Sequence, residues 1–481
     1  MNFAVSSLRS KPDAEVERMF AEALGEDFNT AIVWLFMSRD VRGSGMGERR
    51  LFRVCMKYLA REFPNTVRKL LPLISEYGRW DDLFELVETK VGNDVTIIVR
   101  NQLADDMANM KAGKSISLAS KWLYSLNTSS KKTREKAEIF RRALNVTPRQ
   151  YRKMLSALRK YIDVTERKMS ANKWEEIKYE AVPSRANLNY NSAFLRHDEA
   201  RRREYLGKLE NGETKINSSV LFPHDIVHKY KVPGGWGISF ASKSDPALEG
   251  MWKALPNTVK DGEGTIVVAD GSGSMTSCVG KTNVSAWEVA HALAIYFAER
   301  LPGAYKNQYI TFSEHPQLVK LGGSGTLLGK LNTARGHSEV ANTNIEAVFE
   351  LILATAIQNR MSQSELPKNI LIISDMEFDS CAITNRSRNR WDAVRPSKTL
   401  FNEIARRYHA HGYQLPRLVF WNVNSRTGTI PVKENDLGVA LVSGFSPNVA
   451  KMVMSGKLDP YEALMDALNV PRYNPVREAL R

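Results

Sequence analysis

The segment Asp270-Gly271-Ser272-Gly273-Ser274 sets one carboxylate and two hydroxyls at the end of an apolar run, Thr265-Ile266-Val267-Val268-Ala269. Three oxygen ligands on one tight turn suit a hard divalent cation, Mg²⁺ or Mn²⁺. The glycines let the backbone turn that sharply. A second apolar run, Asn369-Ile370-Leu371-Ile372-Ile373-Ser374, ends in Asp375. Two buried parallel strands of this kind deliver their acidic groups to one edge of a sheet. Between them, Asn342-Thr343-Asn344 precedes an apolar helical stretch over residues 345–354 and offers a further hydroxyl at a loop-to-helix junction. Thr333 and Ser338 lie close enough in sequence to compete with Thr343 for that place.

Catalysis would require a positioned base or nucleophile beside the ion. The eight histidines form no His-Glu-x-x-His pattern, and no Gly-x-Ser-x-Gly nucleophile elbow stands in the chain. His224 and His228 are four apart and could share a helical face, but no third ligand accompanies them, and core packing is the favoured reading. Glu377 and Asp379 are the only residues that would support metal-dependent nuclease or phosphatase chemistry. The expectation is a protein without a catalytic centre.

At 481 residues and 43% hydrophobic content the chain can bury sizeable cores, and its length predicts two or three domains. Three cysteines, Cys55, Cys278 and Cys381, show no pairing or zinc pattern, which points to a reducing compartment. No apolar stretch approaches the roughly 20 residues that cross a bilayer. The N-terminal segment turns polar too soon for a secretory signal. A cytoplasmic protein without a membrane partner is expected.

The net charge of +15 is unevenly placed. Residues 1–250 hold 43 basic and 32 acidic groups, residues 251–481 hold 25 and 21, and residues 101–203 alone hold 23 and 11. The excess therefore sits in the middle of the N-terminal half. A localised excess of this kind is the electrostatic footprint expected for a polyanion, nucleic acid above all.

Residues 14 to about 230 read as helix almost throughout. Val95, Val99, Leu103 and Met107 stack on one face behind an Asp94 cap, and Tyr151, Met154, Leu155, Leu158 and Ile162 form another stripe behind Thr147 and Pro148. Many short amphipathic helices favour a HEAT-like solenoid. The pattern breaks at Lys231-Val232-Pro233-Gly234-Gly235-Trp236-Gly237. Beyond it, strands near 264–269, 307–312, 317–321, 369–374 and 417–423 alternate with helices near 283–300, 344–358 and 398–411, followed by a late apolar segment near 438–443, the pattern of a doubly wound α/β sheet. The expected fold class is α + α/β, with a helical solenoid over 1–235, a linker and short helix over 236–262, an α/β domain over 263–456 and a helical tail over 457–481.

Asp270-x-Ser272-x-Ser274, Thr343 and Asp375, in that order, resemble the metal-ion-dependent adhesion site (MIDAS) of a von Willebrand factor A domain. The resemblance implies that Ser272, Ser274 and Thr343 contact Mg²⁺, that Asp270 and Asp375 bind mostly through water, and that a ligand's own carboxylate or phosphate completes the sphere. An acidic protein partner is one such ligand.

A second resemblance runs from about residue 15 to 450. Arg39-Asp40-Val41-Arg42-Gly43-Ser44-Gly45-Met46-Gly47-Glu48-Arg49, Glu76-Tyr77-Gly78-Arg79-Trp80-Asp81-Asp82-Leu83 and Ser117-Leu118-Ala119-Ser120-Lys121-Trp122-Leu123 are similar to signatures of the TROVE module of Ro autoantigen proteins. Arg196-His197-Asp198-Glu199 and Leu221-Phe222-Pro223-His224-Asp225-Ile226-Val227 resemble a Ro-like family of bacteria, phages and plants. In Ro proteins single-stranded RNA ends enter a basic hole in a helical ring and structured RNA lies outside it. The resemblance implies a partner of the small non-coding or misfolded RNA class.

Residues that could neutralise phosphates are Lys121, Lys131, Lys132, Arg134, Arg141, Arg142, Arg152, Lys153, Arg159 and Lys160, with Trp122, Tyr124 and Tyr151 able to stack bases. The Gly43-Ser44-Gly45-Met46-Gly47 cluster lacks the Gly-Lys-Ser/Thr ending of a nucleotide loop. It reads as a structural turn, with Arg42, Glu48 and Arg49 expected to pair with Asp81 or Asp82.

Overall fold

A computed structural model describes residues 1–43, 45–233, 238–258, 264–280, 282–301, 305–323, 325–338, 344–375, 398–424, 439–444 and 460–481. The chain forms two compact units, and both are discontinuous in sequence. One combines Asp13–Leu206 with Leu468–Arg481, and the other combines Met1–Pro12 with Gly207–Ala467. The sequence-based domain boundary was placed at the glycine-rich turn after residue 231, whereas the units divide at Leu206/Gly207, within the helix Glu199–Glu210. Each terminus belongs to the unit that the linear order would not give it.

The first unit is helical. Asp27 caps the helix Phe28–Arg39 by accepting from Thr30 N at 3.0 Å. Thr147 caps the helix Pro148–Tyr161 in a reciprocal box, its Oγ accepting from Gln150 N while Gln150 Oε1 accepts from Thr147 N. The stripe behind this cap is buried at Tyr151, Leu155 and Leu158. The expected cap at Asp94 is different: the helix starts at Gly92, so Asp94 lies in its first turn, where it takes an ion pair from Arg68 at 3.0 Å.

Two of the quoted signature segments meet in a buried ionic node. Arg39, 2% exposed, donates to Asp82 at 2.8 Å, and Arg53 donates to the other oxygen of Asp82 at 2.7 Å and to Asp81 at 2.6 Å. Backbone N–H of Arg79 also reaches Asp82, at 3.0 Å. A buried charge is tolerated only when paired and hydrogen-bonded in this way. Buried Asp40 accepts from the backbone N–H of Arg42 and Gly43 at 3.1 and 2.9 Å. A Cβ at Gly45 would lie 2.4 Å from the Met37 carbonyl oxygen, so only glycine fits. Of the pairs expected there, Arg49 does approach Asp81, at 3.8 Å, but Arg42 turns instead to Glu76, at 3.4 Å. The C-terminal segment closes this corner: Arg472 bridges Asp40 and Glu76, and Tyr473 stacks on Tyr77 with ring centroids 5.8 Å apart.

The second unit is built on a sheet. A two-residue ribbon, β1 (Lys231–Val232) with β2 (Ser239–Phe240), precedes six strands: β3 (Thr265–Asp270), β4 (Gln308–Phe312), β5 (Leu318–Lys320), β6 (Asn369–Ser374), β7 (Arg417–Asn422) and β8 (Val439–Ser443). Their order is β5-β4-β3-β6-β7-β8, parallel throughout except for antiparallel β5 at one edge. Alternate residues face opposite sides of a strand. Ile266, Val268, Ile310, Phe312, Ile370 and Ile372 pack on one side with residues of the helices Ile345–Gln358 and Lys398–Ala410. The helix Ala286–Arg300 lies against β3, β4 and β6, with His291 edge-on to Tyr309 and Phe297 against Trp421. The α + α/β class is thus observed.

The edge strand β8 needs cover, because an open edge leaves backbone groups unpaired. Part of the cover comes from the N-terminal segment: Val5 and Leu8 are buried, Ser6 N donates to Ser443 Oγ at 3.0 Å, and Ser6 Oγ donates to the Asn422 carbonyl at 2.7 Å. Among the described residues no helix is long and apolar enough to cross a membrane.

Candidate functional site

Strand order locates the first site. After β3 the chain adds β4 and β5 on one side, then crosses to β6 on the other, so the order reverses between β3 and β6. The crevice beyond the carboxyl ends of strands at such a reversal is where open α/β sheets bind ligands. Asp270 ends β3, and Asp375 follows the last residue of β6; both are fully buried.

The turn after β3 is held by its own aspartate. Asp270 Oδ1 accepts from Ser272 N at 2.9 Å, and its Oδ2 accepts from Ser374 Oγ at 2.6 Å across the β3–β6 pair. Ser272 Oγ and Ser274 Oγ stand 3.1 Å apart at the start of the 3₁₀ turn Gly273–Thr276. That spacing is close to the cis edge of about 2.9 Å in an octahedron with Mg–O distances near 2.05 Å. A Cβ at Gly271 would come within 3.2 Å of Ser338, whose Oγ accepts from Trp287 Nε1 at 3.0 Å and donates to the Ala334 carbonyl at 3.1 Å. The structure thus brings Ser338 beside the aspartate turn, while Thr333 donates within its own helix to Gly329 O. Thr343 lies outside the described residues, as do Glu377, Asp379 and Cys381.

Among the described residues no group of three or more His, Cys, Asp or Glu is gathered as for a metal ion. A cation in this crevice would therefore rest on hydroxyls with two carboxylates behind them, a set of hard oxygen donors that fits Mg²⁺. Sequence reasoning missed two further hydroxyls. Ser374 immediately precedes Asp375 in the buried run, and its bond to Asp270 ties the two strand ends together. Ser313 follows β4, whose Phe312 is in register with Asp270, and its buried Oγ has no hydrogen-bond partner among the described residues. A hydroxyl at the end of a buried apolar strand was the available signal in both cases.

Three of the histidines pack or pair within the sheet unit. His228 Nδ1 lies 2.5 Å from Glu288, which also accepts from Lys231 Nζ at 2.9 Å and from Ser285 N and Oγ at 2.7 Å. Burial alone would raise the Glu288 carboxyl, but these hydrogen bonds outweigh it and hold the group down at about 2. Burial drives the His291 imidazole down to about 3, so it is neutral beneath the Trp287 ring. His224 stacks on Phe222.

The second site lies in the helical unit. A groove of ≈ 940 Å³ runs between the loop after Lys121, the helix Pro148–Tyr161 and residues 164–170. Of the ten cations singled out from sequence, Lys121, Arg152 and Arg159 line it. Their roles divide sharply. Arg159 donates to the Ser120 carbonyl at 2.8 Å, to Ser125 Oγ at 2.9 Å and to the Leu123 carbonyl at 2.7 Å. Arg134 holds the Thr128 and Ser129 carbonyls, and Arg141 holds Glu138 and the Val146 carbonyl. Arg159 thus shapes the groove wall and Arg134 braces Thr128, which lines it, while Arg141 is engaged at the end of its own helix. Lys131 stands 4.0 Å from Glu135. Lys132, Arg142, Arg152, Lys153 and Lys160 are exposed, and their side chains make no hydrogen bond or ion pair with any described residue.

Among the aromatic residues, Tyr151 has no free face: it is wholly buried, its hydroxyl donating to the Tyr124 carbonyl at 2.8 Å. Its place on the apolar stripe of the helix explains this. Tyr124 is packed among Phe84 and Phe140. Trp122 remains half-exposed, with the Arg79 guanidinium 5.2 Å and Lys121 Nζ 5.9 Å from its ring. Arg79 and Arg167, which also lines the groove, were not anticipated, since each stands beside acidic residues in sequence.

Comparison with known proteins gives likenesses without an assigned activity. Residues 264–470 match a family described as "Domain of unknown function (DUF7788)" and residues 123–266 one described as "Domain of unknown function (DUF2828)". The two matches meet at the start of β3. An uncharacterized protein of Acanthamoeba polyphaga mimivirus is similar at 29% identity over 521 residues, covering 99% of this chain and 85% of the relative. That likeness runs through both compact units.

Proposed function

We propose that this is a non-enzymatic RNA-binding protein of the Ro type, working in the cytoplasm. In this reading a basic HEAT-like solenoid of the TROVE kind holds single-stranded or structured RNA, and a von Willebrand A-like domain holds Mg²⁺ at a MIDAS-type site built from Asp270, Ser272, Ser274, Thr343 and Asp375. The observation that carries the RNA reading is the helix Pro148–Tyr161. It bears five cations and no carboxylate, and Arg149, Arg152, Lys153 and Lys160 all extend into solvent without an acidic partner among the described residues. Such a surface attracts phosphates and releases counterions when it binds them. Electrophoretic binding assays with single-stranded and structured RNA at several salt concentrations test it: affinity should fall steeply with salt, and weak binding indifferent to salt would refute it.

A second reading is favoured by the crevice itself. Two buried aspartates and paired serine hydroxyls at a strand-order reversal suit a metal that grips an acidic side chain of a protein partner. In that case Asp270→Ala abolishes capture of the partner and leaves RNA affinity unchanged.

A further inference from the structure

We propose that the groove beside Trp122 receives an unpaired stretch of nucleic acid, one base of which stacks on the Trp122 indole while its phosphates face Lys121, Arg152 and Arg167. This rests on the RNA-binding reading and assigns it a place and a substrate form. The indole is half-exposed, and the two cations that flank it, Arg79 and Lys121, have no carboxylate within ion-pair distance among the described residues. Burial, with the neighbouring Arg49 and Arg39 charges, pulls the Arg79 guanidinium below its ordinary value, so an arriving anion would relieve that cost. Among the described residues lining the groove, Glu166 alone is acidic.

The wall opposite the helix is set in advance. Arg159, Arg134 and the Tyr151 hydroxyl together fix the carbonyls of Ser120, Leu123, Tyr124, Thr128 and Ser129. A loop already ordered loses little entropy when it binds. It presents Ser125, Asn127 and Thr128 to the groove, groups able to hydrogen-bond base edges or a 2′-hydroxyl. A volume of ≈ 940 Å³ lies within the usual range of ligand sites, about 300–1,000 Å³. Bases in a duplex are already stacked on one another, so an indole platform selects unpaired ones. Arg159 acts here as a positioning residue, through the loop rather than on the nucleic acid.

The test compares a short oligouridylate with an abasic ribose-phosphate strand of equal length, using the full chain and fluorescence anisotropy. Wild type should prefer the base-bearing strand by about tenfold or more, the usual worth of one stacked base. Trp122→Ala should erase the preference and Trp122→Phe should keep most of it. Arg159→Lys should weaken it while leaving abasic affinity unchanged. Lys153→Glu with Lys160→Glu should lower both affinities alike and preserve the ratio. If wild type binds both strands equally and with strong salt dependence, RNA binding stands and the groove assignment falls; if it binds neither, both fall. Retention of the preference in natively melting Trp122→Ala, or equal competition by polyglutamate, would also overturn it.

Discussion

The two units treat charge in opposite ways. In the sheet unit the notable ionisable groups are buried carboxylates, Asp270 and Asp375 at the carboxyl ends of strands and Glu288 in the first turn of the helix Ala286–Arg300. In the helical unit buried carboxylates are met internally, Asp82 by Arg39 and Arg53 and Asp40 by Arg472, while the cations of Pro148–Tyr161 other than Arg159 face solvent. Burial makes an acidic crevice selective for a cation that replaces lost water. Exposure makes a cationic surface cheap to maintain and sensitive to salt. In the proposed reading, the first would hold a small hard ion and the second a long polyanion.

The sharpest way to break this contrast is to unpair a buried charge in the helical unit. Asp82→Ala leaves Arg39 without its carboxylate and should cost about 3–5 kcal/mol of stability by chemical denaturation; a loss below about 1 kcal/mol would mean the node is not structural. In the sheet unit, Glu288 provides a pH probe. Its folded value of about 2 lies below the ordinary 4.5, so its contribution is complete above pH 4.5 and is lost as pH falls toward 2. The shift corresponds to roughly 3 kcal/mol. Glu288→Gln should flatten the acid limb of the stability profile over that window.

Mg²⁺ should raise the melting temperature, by the equivalent of about 2–3 kcal/mol at a hundredfold excess over its Kd. Asp270→Ala should remove that rise. Comparing Thr343→Ala with Ser338→Ala identifies which hydroxyl completes the site. The smallest expected effect is local: Thr147→Ala removes the cap of the basic helix and should cost about 1 kcal/mol.

Much of the sheet unit was legible because buried parallel strands are short continuous apolar runs, and β3 and β6 stand out from their flanks as such. Asp270 and Asp375 followed directly, since each ends a run. Ser374 did not, because its relevance depends on which strand lies beside which, and Ser338, an alternative to Thr343 from sequence, is placed beside the turn only by where the helix Leu327–Gly336 ends. The cap at Thr147 was readable from Thr-Pro-x-Gln, whereas a helix starting at Gly92 carries no comparable signal. Cation count located the basic region, but count alone could not separate Arg159, whose guanidinium binds three groups of one loop, from Lys160 beside it in solvent. The exchange of termini between units was invisible for the same reason. Val5, Leu8 and Tyr473 are ordinary apolar residues until the surfaces they cover are known.

The most direct measurement is the slope of log affinity for single-stranded RNA against log salt, taken for wild type and for the combined variant Arg152→Glu, Lys153→Glu, Lys160→Glu. Wild type should give a clearly negative slope, and loss of three phosphate contacts should make it shallower by about 2, at roughly 0.7 per contact on a single strand. Identical slopes in the two proteins, or no measurable binding by wild type at low salt, would contradict the account.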